Sequence, residues 1–172
     1  MNNNPSITYI KNGRENPIKH FLIHNFEKEI GEIEDEYFHY TYCINKDIEY
    51  VHFKNFKFTS IDEFKTIKLI YKNPNTIIIL ENCYIIGTNK FLINSYFTAS
   101  VKNDAHVQII NPISTKDIEI EIYCIKNIDI NLIDQNNFIY LDIQYCKNIN
   151  LICTNQLNEL RIYGANNVYI KS

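Results

Sequence analysis

Three stretches in the C-terminal third of the chain repeat one pattern. They are Ile120-x-Ile122-x-x-Ile125-x-Asn127-Ile128-x-Ile130, Leu141-x-Ile143-x-x-Cys146-x-Asn148-Ile149-x-Leu151 and Leu160-x-Ile162-x-x-Ala165-x-Asn167-Val168-x-Ile170. Their starting points lie 21 and then 19 residues apart. A near-constant period of this size marks a solenoid, because one unit cannot bury its apolar face alone and stacked units build a continuous core.

The period extends upstream. Counting back from Leu141 in steps of 21 gives Ile120, Ala99 and Ile78, each followed two positions later by an apolar residue: Ile122, Val101 and Leu80. The same count maps Ile149 to Ile128, Val107 and Ile86, and Cys146 to Ile125, Asp104 and Cys83. Val51-x-Phe53-x-x-Phe56-x-Phe58 reads as a degenerate earlier copy.

Two architectures use such a period. A parallel β-helix contributes two or three short strands per coil, stacked about 4.8 Å apart. A leucine-rich repeat contributes one strand and then a loop or helix. The segments after the asparagines, Ile128-x-Ile130-x-Leu132 and Val168-x-Ile170, alternate as a second strand should. Asp117 and Asn75 stand where a leucine-rich repeat wants leucine. The expected fold is therefore all-β, a right-handed parallel β-helix with coils of about 20–21 residues. A leucine-rich-repeat adaptor is the alternative.

Ahead of the strands, Pro17 to Ile30 reads as a helix. Pro17 suits a first helical position. Ile18, Phe21, Leu22, Phe26 and Ile30 fall close to one face, and Gly31 can end it. The expected organisation is a polar lead and capping helix over 1–35, then the repeat domain over 36–172.

A chain of 172 residues is long enough to bury a sizeable core as one domain. Its formal charge of −3 and lack of a Lys/Arg run argue against nucleic acid, since phosphate contact favours a basic patch. No apolar run approaches the roughly 18–20 residues of a membrane span. Met1-Asn2-Asn3-Asn4-Pro5 lacks the charged and apolar regions of a secretory signal. The five cysteines, Cys43, Cys83, Cys124, Cys146 and Cys153, form no CxxC pair. They read as small buried hydrophobes in a reducing compartment rather than as a disulfide frame or zinc site. A cytoplasmic protein with no membrane partner is expected.

The unit apolar-x-apolar-x-x-Cys-x-Asn-apolar-x-apolar resembles the parallel β-helix repeat of pectin-lyase-like proteins. It also resembles the shorter coils of the CARP domain of cyclase-associated protein and tubulin cofactor C. The match is carried by Leu141–Asn148 and by Gln156-Leu157-Asn158-Glu159-Leu160-Arg161-Ile162. In cofactor C relatives a Gln-Leu-Arg segment supplies an arginine that acts on a GTPase. Leu160-Arg161 corresponds to it, with Glu159 in place of Gln. The resemblance implies a cytoskeletal role with actin, tubulin or a small GTPase as partner.

The candidate partner surface is Arg161, Asp142, Glu121, Tyr140 and Tyr163. A guanidinium suits phosphate or carboxylate recognition. In register, Arg161 lies one coil from Asp142 and two from Glu121, which equally predicts a cross-strand ion pair. Glu119, Glu121 and Asp142 form an outward acidic patch. Tyr123, Tyr140, Tyr163 and Tyr169 are expected to face out, which suits protein recognition and plain strand propensity alike. Asn127, Asn148 and Asn167 fall at the bend between strands. Asparagine tolerates left-handed backbone there, and stacked amides can hydrogen-bond from coil to coil.

A carbohydrate-active β-helix is the alternative from another class; it would need a carboxylate cluster in a groove, and the sequence shows no Asp-Asp pair or Gly-His-Gly to build one. His20 and His24 are one helical turn apart, without the Glu of a metalloprotease helix. No catalytic residue, metal or cofactor is expected. The reading is a non-enzymatic protein-binding or scaffold module, with self-association through an exposed last coil as a further expectation.

Overall fold

The computed structural model describes residues 4–19, 26–60, 62, 64–96, 103–133, 139–153 and 157–172. The chain first forms a hairpin of β1 (Ser6–Lys11) and β2 (Arg14–Lys19). A π-helical turn, Phe26–Ile30, leads into β3 (Gly31–Asp35). Six coils follow among the described residues. The first three have three strands each: β4 (His39–Ile44), β5 (Ile48–Lys54) and β6 (Lys57–Thr59); β7 (Thr66–Tyr71), β8 (Ile77–Glu81) and β9 (Tyr84–Ile86); β10 (Lys90–Ser95), β11 (His106–Ile110) and β12 (Ile113–Ser114). The last three have two each: β13 (Ile118–Tyr123) and β14 (Asn127–Leu132); β15 (Ile139–Gln144) and β16 (Asn148–Cys153); β17 (Leu157–Tyr163) and β18 (Asn167–Lys171).

Corresponding strands stack in parallel into sheets that we term A, B and C. Sheet A runs β18-β16-β14-β11-β8-β5-β1-β2, sheet B runs β17-β15-β13-β10-β7-β4-β3, and sheet C runs β12-β9-β6. This is an all-β solenoid of stacked parallel strands. The segment after each repeat asparagine is a strand (β14, β16, β18), so the leucine-rich-repeat alternative does not describe these coils.

Period-2 alternation sends every second residue inward. In sheet B, Tyr42, Leu69, Ile93, Ile122, Ile143 and Ile162 form one inward column. In sheet A, Val51, Ile78, Val107, Ile128, Ile149 and Val168 form another. The three-sided coils enclose a wider interior, and aromatic rings fill it. Phe58 lies 5.1 Å from Tyr42 and 5.4 Å from both Phe53 and Phe91. The two-sided coils are filled mainly by Ile and Leu, with Cys146 and Cys153 among them.

The upstream count needs correction. Ile120 stacks on Phe91 and Phe91 on Ile67, steps of 29 and 24 residues rather than 21. Ile78 therefore lies in sheet A against Val107, not in the sheet B column of Leu141. Sheet C and longer connections lengthen the early coils. Ala99 and Val101 lie outside the described residues. Val51-Phe53-Phe56-Phe58 is out of phase with the C-terminal repeat, because its bend joins sheet A to sheet C.

The helix expected over Pro17–Ile30 is also corrected. Arg14–Lys19 is strand, with Pro17 opposite Thr8. β2 is the outermost strand of sheet A, where a missing N–H is tolerated. Among the described residues only Phe26–Ile30 is helical, and Phe21, Leu22, His20 and His24 lie outside them. The solenoid end is closed differently. β1 and β3 pair antiparallel with β5 and β4 of the first coil. Phe26 and Ile30, both 0 % exposed, plug the core. Phe26 packs edge-on against Tyr42 at 5.4 Å. Gly31 lets β3 approach, since a Cβ there would sit 1.7 Å from the Cys43 carbonyl oxygen.

Candidate functional site

The outer face of sheet B is built by strict register. Three outward rows cross the coils: Lys90, Glu119, Tyr140, Glu159; then Leu92, Glu121, Asp142, Arg161; then Asn94, Tyr123, Gln144, Tyr163. The topology thus brings all five sequence-predicted surface residues to one face. Charged and aromatic side chains alternate with inward Ile and Leu, which fixes their direction.

Lys90 is the electrostatic centre. Its Nζ donates to Glu121 Oε1 at 2.6 Å. The Tyr123 hydroxyl donates to Glu121 Oε2 at 3.1 Å. Gln144 Nε2 donates to both carboxylate oxygens of Asp142 at 3.2 Å. The hydrogen bond to Glu121 is the main reason the Lys90 ammonium titrates above its usual range. Burial pushes the Glu119 carboxyl up; Lys90 opposes this, while Glu121 and Asp142 add to it. Burial, then the Glu121 charge, raise the Tyr123 phenol.

Carboxylate oxygens of Glu119, Glu121 and Asp142 lie within 4.8 Å of one another. Such a triad offers hard oxygen donors to a divalent cation. Here Glu121 already holds the Lys90 ammonium, so one of the three carboxylates is engaged by a cation.

Arg161 differs from the sequence reading. Its Nε donates to Glu159 Oε1 at 2.7 Å, two residues back on its own strand. Asp142 is its register neighbour, but Glu159 reaches the guanidinium along the strand on the same outward side. The side chain is 69 % exposed. Tyr140 is partly exposed and Tyr163 is 62 % exposed. Two residues of this face escaped sequence reasoning. Lys90 could be placed only by knowing the 29-residue step to Glu119. Tyr145, exposed at the bend, packs edge-on against Tyr163 at 5.5 Å.

On sheet A, Asn148 Nδ2 donates to Asn127 Oδ1 and Asn167 Nδ2 to Asn148 Oδ1, both at 2.8 Å. His106 and Ile77 continue the row, and His106 instead contacts Asp129. These asparagines are not the left-handed residues. Positive φ falls three positions earlier, at Cys124 (59°), Tyr145 (57°) and Gly164 (71°). Asparagine does adopt it at the bends from sheet A to sheet C, at Asn55, Asn82 and Asn111.

The five cysteines are unpaired. Burial pushes the Cys83 and Cys146 thiols up to about 12, which leaves them unreactive. No helix among the described residues is long and apolar enough to cross a membrane. Compared with protein-family models, curated proteins and solved structures, the chain matches none of them.

Proposed function

We propose that this chain is a non-enzymatic protein-binding module, a rigid solenoid that meets its partner with the outer face of sheet B over the last three coils. The observation that carries the reading is the cluster of exposed Tyr140, Tyr163 and Arg161 on sheet B, with Tyr145 at the adjoining bend. Tyr and Arg are the residues most enriched where interfaces concentrate their energy. The sheet holds them in place before binding, which lowers the entropic cost of association. Glu119, Glu121 and Asp142 frame the cluster and favour a partner with basic groups at its rim.

The carboxylates serve this face as structure, engaged by Lys90, Tyr123 and Gln144. The coil is right-handed, as parallel crossovers almost always are. Five unpaired cysteines suit a reducing, cytoplasmic setting. The resemblance of the repeat to CARP coils makes a cytoskeletal partner, actin or tubulin, the sharpest form of the reading.

Cosedimentation with purified actin filaments and with microtubules tests it. The parent protein should pellet with one polymer, and Arg161→Ala and Tyr163→Ala should each weaken binding about tenfold, the scale of a single interface anchor. No binding to either polymer removes the cytoskeletal form. Binding untouched by both substitutions removes this face.

A further inference from the structure

Among the described residues, β3 is an outermost strand of sheet B, paired antiparallel with β4. The Glu36 amide donates to the His39 carbonyl and the Asn45 amide to the Ile30 carbonyl, which fixes the alternation of this ladder. Glu32, Glu34 and Glu36 therefore turn their backbone groups to β4. Ile33 and Asp35 turn theirs to the other side, where they are a template for a further strand. The side chains divide as regularly. Glu32 and Glu34 lie exposed on the outer face, opposite Cys43 and Thr41, while Ile33 packs inward against the core. Just beyond β3, Tyr37 and Phe38 form the tip of the hairpin, 84 % and 66 % exposed, with ring centroids 4.6 Å apart. Large exposed rings beside a strand edge mark an interaction surface.

We infer that the β3 edge captures an extended segment of a partner protein, paired antiparallel and carrying a basic, an aliphatic and a basic residue in succession. Charge selects this occupant. Residues 27–36 hold six carboxylates, at Glu27, Glu29, Glu32, Glu34, Asp35 and Glu36, against the single cation of Lys28. Glu29 accepts the Tyr9 hydroxyl, Asp35 holds Lys65 and Glu36 faces His39. Glu32 and Glu34 make no ion pair among the described residues. Charged side chains on an edge deter strands of like charge. Here the edge has one sign, so a second β3 is repelled and a basic strand is attracted.

Register sets the order of residues in that segment. A residue opposite Ile33 exchanges two hydrogen bonds with it and points its side chain inward, where an aliphatic group extends the core. Residues opposite Glu34 and Glu32 fall in the close, non-hydrogen-bonded pairs, with Cα atoms about 4.5 Å apart, and present their side chains on the outer face. Lysine or arginine there meets each glutamate directly. The antiparallel direction carries the residues ahead of this triplet toward Tyr37 and Phe38, which suits an apolar side chain. The recognised segment thus reads apolar-x-basic-aliphatic-basic. The edge belongs to the first coil and shares no residue with the partner surface of the last three coils.

The probe is the peptide acetyl-Leu-Thr-Lys-Val-Lys-Thr with a C-terminal fluorophore, titrated with the full chain by fluorescence anisotropy. It should bind saturably. Methylating the valine backbone nitrogen removes the hydrogen bond to Ile33 and should weaken binding at least about tenfold. Methylating the backbone nitrogen of the second lysine, which faces away from β3, should leave binding in place. Glu32→Lys with Glu34→Lys should also weaken binding at least about tenfold, and should transfer it to acetyl-Leu-Thr-Glu-Val-Glu-Thr. Circular dichroism confirms that the doubly substituted chain keeps its strands, and the methylated peptides test the pairing on the unaltered protein. No binding by the parent, equal binding of the two methylated peptides, or failure of the charge exchange to transfer binding would each overturn the inference. Self-association in sedimentation velocity that the double substitution abolishes would overturn it too, by giving the edge to a second copy. Arg161→Ala and Tyr163→Ala should leave peptide binding unchanged, so this inference and the proposed function can fail independently.

Discussion

Asn148 donates its side-chain amide to Asn127 in the coil before it, and receives the amide of Asn167 from the coil after, each at 2.8 Å. Replacing it removes both bonds. Asn148→Ala should cost about 1–2 kcal/mol in chemical denaturation, the sum of two modest net hydrogen bonds. Asn148→Asp keeps an acceptor for Asn167 but offers Asn127 no donor when ionised. Its deficit should ease as pH falls and the carboxyl regains a proton. An unchanged Asn148→Ala would mean that the row is ornamental.

Gly164 has φ +71°, and a Cβ there would meet the Tyr145 ring at 3.0 Å. Gly164→Ala should therefore cost about 1–2 kcal/mol from left-handed strain. At the equivalent bend Cys124 already bears that strain, with φ 59°. Cys124→Gly should stay within about 0.5 kcal/mol of the parent, because relief of strain offsets lost contacts. Equal effects at the two bends would contradict this account.

Removing Lys90 leaves Glu121, only 9 % exposed, without its cation. Lys90→Met should lower stability at pH 7 by about 1–2 kcal/mol, discounted from a fully buried pair because the lysine is partly solvated. The pH dependence has a definite sign. Glu119 titrates above its ordinary 4.5, so the native state holds that proton more tightly than the unfolded chain does. Its stabilising effect is full at low pH and is lost as pH rises through the raised value. The Lys90 contribution is present up to 10.5 and is lost above it, since that group is raised as well. The Lys90→Met deficit should thus shrink as pH falls and Glu119 takes up its proton. Denaturant midpoints of both proteins from pH 4 to 8 decide the matter, and a constant deficit would sink the assignment.

Phe26 is wholly buried against Tyr42 and Phe53. Phe26→Ala should cost about 3–5 kcal/mol, typical of a large ring removed from a core. Phe64, 87 % exposed, provides the control, and Phe64→Ala should shift stability by under about 0.5 kcal/mol. Similar losses in both would deny Phe26 its role as plug.

The C-terminal coils were legible because each is two strands joined by a short bend, so Ile120, Leu141 and Leu160 recur at near-constant spacing. That regularity fails upstream for a geometric reason. Sheet C adds a strand to each early coil, and connections of unequal length follow, so Phe91 precedes Ile120 by 29 residues. A one-period count cannot find Phe91, and with it Lys90 is lost from the site. The outward position of Arg161 was readable from alternation, but its choice of Glu159 over Asp142 depends on rotamers, which a pattern of residue types does not carry. Pro17 misled because helix starts and edge strands both accommodate proline, and what separates them is the pairing of Pro17 with Thr8 across the hairpin.

The contrast between the aromatic plug around Phe26 and the slender final coil gives the molecule a weak side and a strong side. In a solenoid each coil leans only on its neighbours, so local opening spreads from whichever terminus is least supported. Amide protection should climb coil by coil from β17 and β18 toward β4 and β5. Heat, denaturant or a pulling force would peel this protein from its sixth coil inward, leaving the ring-filled coils the last to let go.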